Sequence, residues 1–142
     1  MKSINYKVKI GIIGCGAIGS RMAKAICKDL KNDCKVSGLY DIDRKKVKSL
    51  AKELKIKNVT RSSVESLIKN CDCVVEAING LNTVEIVKIA LKSQKSVLVM
   101  SVGRVLNDKQ LFQMARRKKA YILLPSGAIA GIDAIKAASL VP

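Results

Sequence analysis

The stretch "KIGIIGCGAIGS", Lys9 to Ser20, decides the fold. Its first half is an apolar run, and its second half places Gly14, Gly16 and Gly19 at the spacing G-x-G-x-x-G ahead of a segment of helical pattern. A strand that turns through such glycines into a helix is the context in which this otherwise common spacing carries meaning. Gly14 permits the tight turn, Gly16 keeps a Cβ out of the path of a pyrophosphate, and Gly19 lets helix and strand pack closely. The first helical residues, Ala17 and Ile18, then offer free N–H groups and the positive end of the helix dipole to an anion.

The rest of the chain keeps the same beat. "CKVSGLY", "CVVEAI", "SVLVMS" and "YILLPS" are short and rich in Val, Ile and Leu, as expected of parallel strands buried on both faces. A short "NVT" near Val59 serves as a sixth strand. Between the strands lie helical segments. The first, Ala17 to Leu30, sets Ile18, Met22, Ile26 and Leu30 on one face, and the second, Asp43 to Lys55, does so with Val47, Leu50, Ala51 and Leu54. Ser62 with Glu65, Asn82 with Glu85, and Asn107 with Gln110 fit the capping-box spacing of later helices. Alternating strands and helices predict an α/β, doubly wound parallel sheet of the Rossmann type, with about six strands in the order 3-2-1-4-5-6. The domain spans 1–128, and residues 129–142 begin a helix that leads onward.

An acidic residue is due about 20 positions beyond the glycines, at the end of the second strand. Asp41 stands there, with a carboxylate suited to an adenosine ribose or, in the simpler reading, to capping the next helix, for which Asp43 is the better cap. Arg44, Lys45 and Lys46 follow it and would relax a preference for NAD toward NADP. Ligands of such sheets lie at the carboxyl ends of the strands, which points to Ile78 and Asn79, to Ser101, and to the segment from Ser126 to Ala128. Glu76, inside a strand read as buried, needs a partner: it is either a paired structural group or a neighbour of the nicotinamide pocket.

Composition narrows the function. The chain has 142 residues, 49% of them hydrophobic and 27% charged, with 27 Lys+Arg against 11 Asp+Glu for a formal charge of +16. No apolar run reaches the length of a membrane span and no leader pattern precedes the first strand, so a cytoplasmic address is expected. The basic residues are scattered and the aromatics few, which fits a solvated surface better than a nucleic-acid face. Five cysteines without any histidine, the closest pair separated by one residue, argue for reduced thiols and against a metal site. Without histidine the catalytic group is unknown, leaving Lys95, Lys109 and Lys136 as proton carriers that nothing singles out.

"CDCVVEAI", "VLVMSVG" and above all "LLPSGAIAGIDAIKAA", whose specific part runs from Pro125 to Ala134, resemble the L-aspartate dehydrogenase family, relatives of the homoserine dehydrogenase cofactor domain. The similarity covers nearly all of this chain and about the first half of a typical member. It implies oxidation of L-aspartate, a dicarboxylic amino acid, to iminoaspartate with hydride transfer to NAD or NADP. The imine then hydrolyses to oxaloacetate and ammonia or enters NAD biosynthesis. It also implies that Ser126, Gly127 and Ala128 border the nicotinamide, with Ala128 a cofactor contact and Ser126 near the substrate. The family's catalytic histidine belongs to a second, α+β domain that supplies most of a dimer interface, and neither is expected within these 142 residues. The expected partners are therefore a second copy in a homodimer or a chain carrying that domain, and the expected behaviour is dinucleotide binding with little turnover. Two positions depart from the family: the loop "NGLN", and "SVGRV", where Arg104 is either a solvated loop arginine or a guanidinium offered to a substrate carboxylate. The rival reading is a non-enzymatic dinucleotide-sensing or oligomerisation module.

Overall fold

The computed structural model describes residues 6–125. Strand β1 (Val8–Ile13) leads through the glycine turn into α1 (Ala17–Lys28), then β2 (Cys34–Tyr40), α2 (Arg44–Glu53) and α3 (Val64–Lys69). The second half runs β3 (Cys73–Glu76), α4 (Thr83–Lys92), β4 (Ser96–Val99), a single 3-10 turn (Val102–Arg104), α5 (Lys109–Lys118) and β5 (Ile122–Leu123). The five strands form one sheet in the order β2-β1-β3-β4-β5, and every pairing is parallel. The expected sixth strand is reduced to one parallel bridge between Thr60 and Leu39 of β2, on the edge that strand 3 occupies in the predicted order. The segment around it turns at Lys55 and Asn58, both left-handed, and the Arg61 guanidinium donates back to the carbonyls of Asn58 and Ser37 instead of leaving a free strand edge.

Alternation along the strands builds two cores. Ile10 and Ile12 of β1 and Val75 of β3 face α1 and α2, where they meet Ala23, Ile26, Val47 and Leu50. Ile13 and Val74 face the other side, against Leu67 of α3 and against α4 and α5 through Val87, Leu91 and Leu111. Gly11 and Gly38 lie opposite each other in the β1–β2 register, and a Cβ on either would crowd the Leu67 side chain, so the paired glycines form the seat of α3.

Several local expectations change. Helix α1 buries Gly19, Ala23 and Ile26, whereas Ile18 is 51% exposed; Leu30, expected on the same stripe, lies beyond the end of the helix. The cause is Gly19, which packs onto the Gly14 carbonyl and so sets the rotation of the helix one residue away from the stripe its larger side chains suggest. The start signals at Ser62 and Asn107 fall one residue early: Ser63 Oγ accepts from the Ser66 amide, and Asp108 from Gln110 and Leu111. Asn82 precedes α4 but makes no side-chain cap, while Asp43 caps α2 as expected. Among the described residues no helix is long and apolar enough to cross a membrane.

Candidate functional site

The chain steps from β1 to one side, through α1 into β2, then crosses back to place β3 against the other side of β1. Such a reversal opens a crevice at the carboxyl ends of the strands. Gly14 sits at its mouth with φ +97°, a conformation that disfavours any side chain, and its amide donates to the Tyr40 carbonyl at 2.8 Å. A Cβ there would strike the Ala77 carbonyl, and one on Gly19 the Gly14 carbonyl, so two of the three glycines are demanded by close backbone approach. Gly16 differs. Its backbone is ordinary for an L-residue (φ −76°), and a Cβ there would meet nothing within 4 Å. The fold therefore does not require that glycine, and the open space beside it is what a bulky anion needs.

The start of α1 points the same way. No side chain caps it and no acidic residue occupies its first turn, whereas α2, α3 and α5 are capped by Asp43, Ser63 and Asp108. Amides left without such a partner, at the positive end of the helix dipole, are a seat for phosphate oxygens. The residues present thus fit the diphosphate of a dinucleotide, with Gly16, Ala17 and Ile18 lining the seat.

Asp41 stands at the end of β2. One carboxylate oxygen accepts from the Cys15 amide at 2.7 Å and the other from the Asp43 amide at 2.8 Å, so Asp41 ties the glycine turn to the β2–α2 loop and keeps lone pairs for a ribose. Arg44 is already committed: its guanidinium donates to the Arg61 and Ser62 carbonyls, both at 2.6 Å, and lies 5.4 Å from the Tyr40 ring centre. Lys45 and Lys46 instead line a crevice of about 390 Å³ with Cys15, Ser20 and Ser49.

Across the reversal, a larger crevice of about 720 Å³ brings together Ile78, Asn79, Ser101 and Arg104, with Met100 and Val102. Four residues named from the sequence thus share one wall. Glu76 lies beneath it, 0% exposed, and among the described residues its carboxylate is met by hydrogen-bond donors rather than by a counter-ion. Oε1 accepts from the Ile78 amide (3.1 Å), the Thr83 hydroxyl (3.2 Å) and the Ser101 hydroxyl (3.1 Å), and Oε2 from the Ser101 amide (3.2 Å). Ser126 and Ala128, like residues 129–142, lie outside the described residues.

Sequence reading missed Thr83 as a partner of Glu76, and it missed the apolar rim. Ile18, Ile42, Leu81 and Leu106 follow four different strands at this edge, and Ile42 and Leu81 are 90% and 82% exposed. The available signal was an isoleucine held between two aspartates in "DID".

Two of the thiols, Cys15 and Cys71, are buried. Burial pushes Cys15 up to about 11, with Asp41 adding to the effect and Lys46 opposing it, and burial likewise pushes Cys71 up to about 11. A thiol whose folded value is raised contributes stability that is whole below its ordinary 9.0 and is lost as pH rises through about 11. Thermal unfolding should therefore show an alkaline loss in that window, on the order of 2 kcal/mol per thiol. A Cys15→Ala, Cys71→Ala variant should flatten the loss relative to the unaltered chain, and an unchanged slope would contradict the assignment.

A family model described as homoserine dehydrogenase, NAD binding domain, matches residues 14–125. The chain is 42% identical over 138 residues to the L-aspartate dehydrogenase of Methanocaldococcus jannaschii, covering 94% of this chain and 51% of that protein. It is 38% identical over 135 residues to the L-aspartate dehydrogenase of Methanosarcina barkeri, covering 93% and 49%. The chain thus spans about half the length of the curated relatives it matches. Among solved structures, a homoserine dehydrogenase from Thiobacillus denitrificans superposes with a TM-score of 0.75 at 22% identity, covering 93% of this chain and 32% of that one. An apo scyllo-inositol dehydrogenase from Lactobacillus casei gives 0.75 at 16% identity, covering 96% and 41%. At these identities the structural likeness speaks for the Rossmann fold alone.

Proposed function

This chain belongs to the family of the homoserine dehydrogenase NAD-binding domain, and on that premise we propose that it is the dinucleotide-binding part of an L-aspartate dehydrogenase-type oxidoreductase. The observation that carries the reading is Gly16, a glycine the fold does not need, beside helix amides that no side chain caps. The substrate class rests on the L-aspartate dehydrogenases to which the chain is similar over nearly its whole length.

In this reading the amides of the α1 first turn bind the diphosphate, Asp41 accepts from the adenosine ribose, and Ile42 covers the adenine. The nicotinamide enters the larger crevice beside Ile78, Asn79 and Ser101. A bound nicotinamide dinucleotide supplies the hydride acceptor for amino-acid oxidation. The protein's part is to fix that ring over one wall and to keep water away from it, which strengthens every charge interaction there. Arg104, exposed on the 3-10 turn at the crevice wall, binds a substrate carboxylate through its planar fork. Ser126 and Ala128 complete the nicotinamide border, a dimer or a second chain supplies the opposing wall, and the cytoplasm is the compartment.

NADH titrated into the purified chain tests this directly: its emission should change saturably, and an unmoved signal at saturating protein would end the proposal. Tolerance of a 2′-phosphate rests on Lys45 and Lys46, because Arg44 is held by backbone carbonyls. Replacing both lysines by alanine should weaken NADPH about tenfold, the scale of one or two charge-assisted contacts, and leave NADH within about twofold. Equal loss for the two nucleotides would remove the lysines from that role.

A further inference from the structure

Among the described residues Glu76 is the one charged side chain that is fully buried, and neither ion pair of the structure includes it. A carboxylate taken from water without a counter-ion is costly, and an apolar residue would serve the sheet better at this position. Its neighbours Val74 and Val75 show that the strand accepts valine. What Glu76 does that valine would not is collect hydrogen bonds from two loops. Ile78 belongs to the β3–α4 connection, Thr83 opens α4, and Ser101 follows β4. The Ser101 hydroxyl also stands 2.8 Å from the Ile78 carbonyl, so its single proton is shared between that carbonyl and Glu76 Oε1. The two loops are thereby cross-tied both through the carboxylate and directly.

These loops carry the wall of the larger crevice. Left untied, each would lose backbone freedom only when a ligand arrives, and that ordering would subtract from affinity. We propose that Glu76 is a positioning residue that pre-orders the Ile78–Asn79 and Ser101 loops, so that the nicotinamide half of the dinucleotide meets a finished wall. The inference rests on the dinucleotide reading above. Glu76 touches no ligand in it and acts through Ile78 and Ser101. The adenosine half, seated at Gly16 and Asp41 on the other side of the reversal, gains nothing from the tie.

That asymmetry supplies the test. Glu76→Gln keeps shape and one acceptor oxygen but sets an amide N–H₂ against a donor. Thr83→Val removes one hydroxyl donor at a buried site outside the crevice lining. Dissociation constants would be measured for NADH by fluorescence and for ADP-ribose, which lacks the nicotinamide, by calorimetry. Glu76→Gln should weaken NADH about tenfold and Thr83→Val about threefold, with ADP-ribose within about twofold in both. Parallel weakening of the two ligands, or NADH binding undiminished in folded variants, would overturn the positioning role. Binding of neither ligand by the unaltered chain would overturn the dinucleotide reading and this inference with it.

Discussion

Gly16→Asp should raise the thermal midpoint by about 2 °C and abolish NADH binding, two effects of opposite sign from one residue. The gain follows from the helix end. Gly16 is the N-cap of α1, already in an extended conformation that an L-residue adopts, and a Cβ there meets no neighbour within 4 Å. Aspartate is a preferred cap, and its charge complements the helix dipole, together worth roughly 0.5–1 kcal/mol. The loss follows from the same carboxylate, which would occupy the space proposed for the diphosphate and repel it. NADH affinity should fall by about a hundredfold or more, since both the seat and the sign of its charge are lost. Thermal unfolding and a fluorescence titration on one preparation read both effects. NADH affinity kept within about threefold would show that the open space at Gly16 is not where the ligand lies.

Gly19→Ala carries the complementary expectation. Its methyl would be driven onto the Gly14 carbonyl, a backbone atom that cannot swing aside as a flexible side chain would. Either α1 lifts from β1 or the turn at Gly14 opens, and either movement disturbs the packing of Ala23 and Ile26 against Ile10 and Ile12. Overpacking of this kind costs about 3 kcal/mol, which lowers the midpoint of a domain this size by about 10 °C. Nucleotide binding should fall with it, because the displaced element carries the amides. Retention of the full midpoint would mean that helix and strand are further apart than the structure places them. Taken together, the two glycines separate ligand from fold: a side chain is tolerated structurally at Gly16 and forbidden at Gly19, although both belong to one motif.

Much of this molecule was legible beforehand because its signals are local. An apolar run followed by G-x-G-x-x-G specifies a strand, a turn and a helix within a dozen residues, and Asp41 follows from the length of one βα unit. The rotation of α1 was not legible, since Ile18 has the hydropathy of a core residue while the contact that orients the helix is made by a glycine with no hydropathy at all. Nor was the fate of Arg44, which by sequence is a free cation beside Asp41. The carbonyls that hold it belong to Arg61 and Ser62, where the chain turns alongside the β2 edge.

From its residues alone this chain is a doubly wound sheet with a glycine turn opening its first helix, because strand periodicity, turn chemistry and helix caps act between neighbours a few positions apart. Only the folded sheet decides that Glu76 gathers Ile78, Thr83 and Ser101, and that the Arg44 guanidinium is held by the Arg61 and Ser62 carbonyls. Those outcomes depend on which loops emerge side by side at the carboxyl edge. Strand order and register set that adjacency through packing between distant segments, and no short stretch of the chain encodes it.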